Sequence, residues 1–173
     1  MSIATLILGE SGTGKSASMR NLNPNDACLI QIIKKPLPFK SSDWKRFDKE
    51  TGGNVFVSDD VGYILGVMNK TKKEIIIIDD FQYLMANEFM RGVTDEAKGN
   101  EAFMKFNKIA QNAWYILNAC ASLPDNKRVY VLSHTQTNDF GHTKAKTIGK
   151  LLDEKITLEG MFSIVLRTKV LNG

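Results

Sequence analysis

Eight consecutive residues, Gly9 to Ser16, read Gly-Glu-Ser-Gly-Thr-Gly-Lys-Ser. The spacing G-x-x-x-x-G-K-[ST] suits one kind of ligand, a chain of phosphates. A loop of this type leaves a buried strand and enters a helix. It gathers backbone N–H groups into a concave nest, and the helix start adds positive partial charge at the same place. Gly9, Gly12 and Gly14 permit the tight path and the close approach. Lys15 is placed to reach the outer phosphates, and the Ser16 hydroxyl to hold Mg²⁺. Glu10, Ser11, Thr13 and Ala17 complete the expected nucleotide-binding stretch. A chance glycine-rich turn is the alternative. The apolar run Ile3 to Leu8 before the loop and the helical pattern after it argue against that alternative.

A second polar group follows Ile75-Ile76-Ile77-Ile78, as Asp79-Asp80. Four β-branched residues without polar alternation mean a strand buried on both faces. Its acids fall at the carboxyl end, where ligands bind in open α/β sheets. Asp79 is the expected Mg²⁺ partner with Ser16, acting through water. Asp80 is either the group that polarises an attacking water or a cap for the helix from Phe81 onward. His134 and Gln136 end a further strand, where either would sense the outermost phosphate or simply satisfy loop backbone. Lys15, Asp80 and Gln136 make up the cis part of the expected catalytic set.

Two basic clusters remain. Arg167 and Lys169 stand two apart on a late strand and so leave one face. Such a pair suits negative charge developing on a neighbouring subunit's terminal phosphate, and would join the catalytic set from there. It equally suits the protection of an edge strand against aggregation. Lys144, Lys146 and Lys150 lie in the polar stretch Thr137 to Lys150, as contacts for a nucleic-acid backbone or as a solvated loop.

These residues need a frame. Strands are expected at Ile3 to Leu8, Ala27 to Ile33, Asn54 to Val57, Glu74 to Asp80, Arg128 to Ser133 and Phe162 to Leu171. Helices are expected at Lys15 to about Leu22, from Ser58-Asp59-Asp60 to about Asn69, at Gln82 to Arg91 and at Glu101 to Ala119. Asp59 and Asp60 read as helix caps rather than catalytic acids. In the last helix Phe103, Phe106, Ala110, Ala113 and Leu117 share a face and read as core, with Trp114 and Tyr115 flanking it. Lys34 to Asp48 with its two prolines reads as irregular surface, Gly92 to Asn100 as a mobile loop, and Lys155 to Phe162 as a short helix or turn. The alternation implies an α/β three-layer sandwich with a mostly parallel sheet and helices on both faces.

The chain has 173 residues, 43% hydrophobic and 24% charged, with a formal net charge of +4. Residues 1–173 are expected to form a single domain. No apolar run approaches a membrane span, and no secretory leader is expected, because the opening strand runs straight into the glycine-rich loop. Cys28 and Cys120 fall on expected core elements and read as reduced thiols of a cytoplasmic protein. Two histidines and two cysteines do not make a transition-metal site. The mild basic excess suits a nucleic-acid partner without requiring one.

Taken together, the loop Gly9 to Ser16, Asp79 after four isoleucines, the polar strand end at Gln136 and Arg167-Thr168-Lys169 resemble the ATPase core of RecA-type recombinases and ring helicases. Ser133-His134-Thr135-Gln136 and the segment Thr143 to Arg167 carry a closer similarity to small bacteriophage ATP-binding proteins associated with DNA recombination and single-strand annealing. The resemblance implies ATP and Mg²⁺ as ligands and a DNA-stimulated ATPase acting on single-stranded DNA. It also implies a ring or filament of identical subunits in the cytoplasm of an infected bacterial host, with phage or host recombination or replication proteins as further partners. The basic pair would act in trans, and the loops Gly92 to Asn100 and Thr137 to Lys150 would face DNA.

Two departures qualify what it implies. RecA-type enzymes carry a glutamate at the end of the second core strand; here that strand runs into Ile33-Lys34-Lys35-Pro36. Either Asp80 takes the role, or hydrolysis is slow or partner-dependent. Asp79-Asp80-Phe81-Gln82-Tyr83-Leu84 also looks like the matching motif of AAA+ helicase loaders, whose helical lid has no room after Lys169. The alternative function is therefore a nucleotide-dependent switch or loader that binds a protein and hydrolyses little. A small-molecule kinase ranks last, because the arginines (Arg20, Arg46, Arg91, Arg128, Arg167) are scattered rather than gathered in a lid.

Overall fold

In the computed structural model residues 1–92 and 100–171 are described, the side chains of 100–103 excepted. The strands are β1 (Ile3–Gly9), β2 (Ala27–Gln31), β3 (Val55–Val57), β4 (Ile75–Asp79), β5 (Arg128–Thr137), β6 (Thr143–Ala145) and β7 (Ile164–Arg167). Six of them form a parallel sheet in the order β3-β2-β4-β5-β1-β7, and β6 pairs antiparallel with the far end of β5. The chain is thus α/β with a mostly parallel sheet, as the alternation implied.

The two faces of the sheet differ. Helices α1 (Val61–Lys70), α2 (Gln82–Gly92) and α3 (Asn100–Ser122) all pack on one of them. Ile64 and Met68 of α1, Leu84 and Met85 of α2, and Ile109, Ala113, Ile116 and Cys120 of α3 meet Leu6, Ile30, Ile76, Ile78, Val129 and Val131 there. These helical positions recur every three or four residues, the period of one face. Asp60 starts α1, its Oδ1 accepting from the Tyr63 amide at 2.6 Å.

The opposite face is covered thinly. Met19 and Leu22 from a short turn, and Leu37, Phe39 and Trp44 from the irregular segment, lie against Leu29, Val55, Ile77 and Leu132. Helices on both faces were expected, but the only helical piece here among the described residues is a 3-10 turn, Ser16–Asn21, where an α-helix over Lys15 to Leu22 was anticipated. The Ser18 amide is shared between the Gly14 carbonyl at 2.9 Å and the Lys15 carbonyl at 3.2 Å. The Ser18 hydroxyl takes the Lys15 carbonyl as well, at 2.6 Å. Such back-bonding, with Pro24 close behind, leaves no room for regular α-helical turns.

Three further expectations change. β5 runs on to Thr137, and the stretch expected as a polar loop pairs back on it as β6, with Gln136 opposite Lys144. β7 is shorter than Phe162 to Leu171 and among the described residues pairs only with β1, as an edge. Its residues are exposed on both faces, Leu166 to 53%. The loop expected over Gly92 to Asn100 lies, at 93–99, outside the described residues, as does the Phe103 side chain. Of the rest of that stripe, Ala110, Ala113 and Leu117 are core, while Phe106 sits at its border near Phe89. Trp114 and Tyr115 are partly exposed and adjoin each other.

Cys28 and Cys120 are free and buried, and burial first of all pushes their thiols up to about 11 and about 12. No described helix is long and apolar enough to cross a membrane.

Candidate functional site

The parallel register brings several strand ends to one edge. Gly9 ends β1 opposite His134 of β5, and Asp79 ends β4 opposite Gln31 of β2. β5 lies between β1 and β4, so the loop and the acids stand about 10 Å apart across two strand spacings. The loop itself spans that gap. Ser16 Oγ lies 2.9 and 3.1 Å from the two carboxylate oxygens of Asp79. The pairing expected from the sequence as a shared Mg²⁺ site is thus a direct contact.

Within the loop, Gly12 and Gly14 take φ of +79° and +93°, which side chains rarely adopt. Gly9 is required for a different reason. A methyl there would fall 2.5 Å from Thr13 Oγ1 and collide with Thr168 Oγ1. Those two hydroxyls hydrogen-bond at 2.7 Å, and the Thr168 amide donates to the Leu8 carbonyl at 2.8 Å. Ser11, Gly12 and Gly14 face solvent, Ala17 is half-buried, and Lys15 is 6% exposed. Its Nζ folds back on the loop, donating to the Gly9 and Glu10 carbonyls at 2.9 and 2.8 Å. Burial lowers the Lys15 pKa; Asp80 opposes this and Lys35 adds to it.

Asp80 is buried and takes φ of +63°, the one described non-glycine residue with positive φ. That conformation costs an L-residue of order 1 kcal/mol. It turns the carboxylate toward Lys35, with which it forms an ion pair, and places Oδ1 3.5 Å from His134 Nε2. His134 also packs edge-on against Tyr83. Burial, then Lys15, holds the imidazole below its ordinary pKa, so it is neutral at neutral pH. Of the two candidate sensors, His134 adjoins the acids. Gln136 lies further along β5, where its Nε2 donates to Asp153 Oδ1 at 3.2 Å.

Lys35 is the residue that sequence reasoning passed over. Its Nζ is paired with Asp80, 3.7 Å from Asp79 Oδ2 and 3.4 Å from Ser16 Oγ. Burial works against its charge, but the Asp80 hydrogen bond and Asp79 outweigh it and hold the ammonium above its usual pKa. Burial also raises the Asp79 carboxyl, and Asp80 raises it further. The sequence shows only a basic pair shortly after β2; the pairing of β2 with β4 is what sets it beside the acids.

The arrangement suits a divalent cation. A hydroxyl and two carboxylates converge in a buried corner, and an ammonium already stands in for positive charge there. Among the described residues no three His, Cys, Asp or Glu side chains form a metal cage. Mg²⁺ needs none, since it keeps water and substrate phosphates in its shell.

The basic candidates fall elsewhere. Arg167 registers with Leu8, whose side chain enters the helical core, while Thr168 reaches the loop. Arg167 therefore belongs to the face away from the loop within one subunit, and both Arg167 and Lys169 are exposed. Lys144 pairs with Asp153 at 2.6 Å, the Lys146 amide donates to the His134 carbonyl, and Lys150 borders an apolar groove of about 1300 Å³ beside Trp114 of α3. Asp59 pairs with Arg91 at 2.6 Å, a structural tie between α2 and the start of α1. No family model matches the chain, and neither does any curated protein.

Proposed function

We propose that this chain binds ATP with Mg²⁺ and hydrolyses it as a RecA-like ATPase, on single-stranded DNA and as an assembly of identical subunits. The observation that carries the nucleotide reading is the contact of Ser16 Oγ with Asp79, which joins the glycine-rich loop to the acid of a strand two places away. Loop amides and Lys15 would hold the phosphates, with Lys15 giving up its carbonyl partners for phosphate oxygens. Ser16 and Asp79 would hold Mg²⁺, which neutralises charge on the outer phosphates when bound.

In hydrolysis a water oxygen bonds to the terminal phosphorus as the bridging P–O bond breaks. The products are ADP and phosphate, and the water proton leaves with a base. Asp80, or Asp80 with neutral His134, is the base available in this corner. The DNA and assembly parts rest on the family resemblance.

A second reading, a nucleotide-dependent switch with little turnover, is favoured by one observation. Asp80 is tied through Oδ2 to Lys35, which occupies one oxygen of the carboxylate that would otherwise meet the attacking water.

Calorimetric titration with ATP and Mg²⁺ tests the first step. Wild-type protein should bind, and Lys15→Ala should lose at least about tenfold in affinity while keeping its melting temperature. Turnover measured with and without single-stranded DNA separates the two readings. A rate that rises with DNA supports the ATPase. Tight binding with no turnover in either condition supports the switch.

A further inference from the structure

Lys34 and Lys35 are adjacent lysines with opposite fates. Lys34 is exposed, whereas the Lys35 side chain is 33% exposed and turned into the corner between Ser16, Asp79 and Asp80. The backbone enforces the difference. Gln31 Nε2 donates to the Lys35 carbonyl at 3.0 Å, and Pro36 restricts Lys35 to extended conformations. The Ile32 amide binds the Asp79 carbonyl at 3.2 Å, fixing the start of this segment against β4. The lysine is therefore delivered to the acids by fixed backbone and not by a wandering surface chain.

Two carboxylates and two amines meet in this corner: Lys35 is paired with Asp80 and lies 3.7 Å from Asp79 Oδ2, while Lys15 Nζ turns back on the Gly9 and Glu10 carbonyls. Two adjacent buried carboxylates repel each other and demand a cation. Lys35 meets that demand with three donors on one compact ammonium. It touches the same Ser16 hydroxyl and Asp79 carboxylate that a magnesium ion would use.

We propose that Lys35 is a built-in counter-ion which competes with divalent metal for the Ser16–Asp79–Asp80 corner. The proposal rests on the reading of this corner as the Mg²⁺ site of a nucleotide. Free metal then gains little by entering, because it must displace a cation that is already tethered. Metal arriving with a triphosphate enters more readily, because the phosphates offer the displaced ammonium a new anionic partner. Loading is thereby coupled to nucleotide, and idle occupation by metal alone is suppressed.

Binding of Mn²⁺ alone, followed by the loss of its free-ion electron paramagnetic resonance signal, tests this without nucleotide. Lys35→Met and Lys35→Gln should each bind Mn²⁺ about tenfold or more tightly than wild type. Lys35→Arg, which keeps the charge, should stay near wild type, and so should Lys34→Met, which removes an equal charge from the exposed neighbour. If both neutral Lys35 variants bind Mn²⁺ no better than wild type, or if Lys34→Met improves binding as much, the proposal is overturned. Wild-type protein gives a second measurement that needs no variant. Labelling of the Lys35 amine by an acylating ester, read by mass spectrometry, should accelerate in saturating Mn²⁺ as the ammonium is displaced; an unchanged or slower rate counts against it. An ATP titration run alongside keeps the two ideas apart. Absent ATP binding with tighter Mn²⁺ in the Lys35 variants would sink the nucleotide reading and leave the counter-ion in place.

Discussion

The two faces of the central sheet are built to different standards. On one, three α-helices lay down a continuous apolar layer over β1, β2, β4 and β5. On the other, a 3-10 turn and an irregular segment cover a smaller core, and the glycine-rich loop leads directly into that turn. The contrast separates two tasks. The helical face supplies most of the burial that holds the strands in register. The thin face leaves room beside the strand ends, where loop amides, Lys15 and the acids converge. On this side Ser11, Gly12 and Gly14 of the glycine-rich loop face water.

Adjacent isoleucines of β4 break or sharpen this contrast most directly. Ile78 enters the helical core and Ile77 the thin one, and both are essentially fully buried. Ile78→Ala should cost about 4 kcal/mol of unfolding free energy, and Ile77→Ala about 2 kcal/mol, because an irregular cover collapses into a cavity more easily than packed helices do. Urea denaturation of the two variants measures the difference. Equal losses would mean that the thin face is packed as rigidly as the other.

Gly9 probes the seam between loop and edge strand. Gly9→Ala should destabilise by roughly 2 kcal/mol, since the new methyl must displace the Thr13–Thr168 hydroxyl pair. Adding Thr168→Ala should recover part of that loss in the same denaturation assay, by removing the hydroxyl that the methyl strikes. A double variant no more stable than Gly9→Ala would place the strain in the backbone instead.

The smallest effect belongs to the β5–β6 hairpin. Asp153 accepts from Lys144, Gln136 and Thr147, and Lys144 first of all holds its carboxyl below the ordinary value. A depressed carboxyl pKa contributes stability above the unfolded value of 3.8 and loses it as pH falls through the lower folded value. The tie is largely solvated and contributes under about 1 kcal/mol. Asp153→Asn should modestly speed hydrogen exchange at the β6 amides above that pH and leave the exchange of β1 and β4 unchanged.

How far the sequence foretold this structure depends on how local each signal was. The β4 strand and its terminal acids were legible because four β-branched residues admit one reading. The loop was legible because its spacing is itself the geometry, and the cap at Asp60 because it lies beside the helix it starts. The layer over the thin face was not. A helix over Lys15 to Leu22 fits the pattern, but serine back-bonding and Pro24 override it. Lys35 was visible only as a missing acid. Its role appears once β2 and β4 are known to be neighbours, a tertiary fact that no window of sequence contains. The hairpin at Thr143–Ala145 was hidden for a related reason: a three-residue strand with only Ala145 apolar is too short to show an alternation, and the apolar pattern of its partner strand ends at Ser133.

The edge strand β7 carries a practical consequence for anyone assaying this chain. One side of β7 has no strand beside it among the described residues, and the apolar side chains of Ile164, Val165 and Leu166 sit in water next to Arg167 and Lys169. Positive charge at such a border discourages sticky chains from stacking side by side. Alanine at both basic positions, the natural experiment on cross-subunit catalysis, would strip that repulsion in the same stroke. Lost turnover in the double variant then has two origins, a missing cation or a precipitating sample. Light scattering recorded in the same cuvette tells them apart.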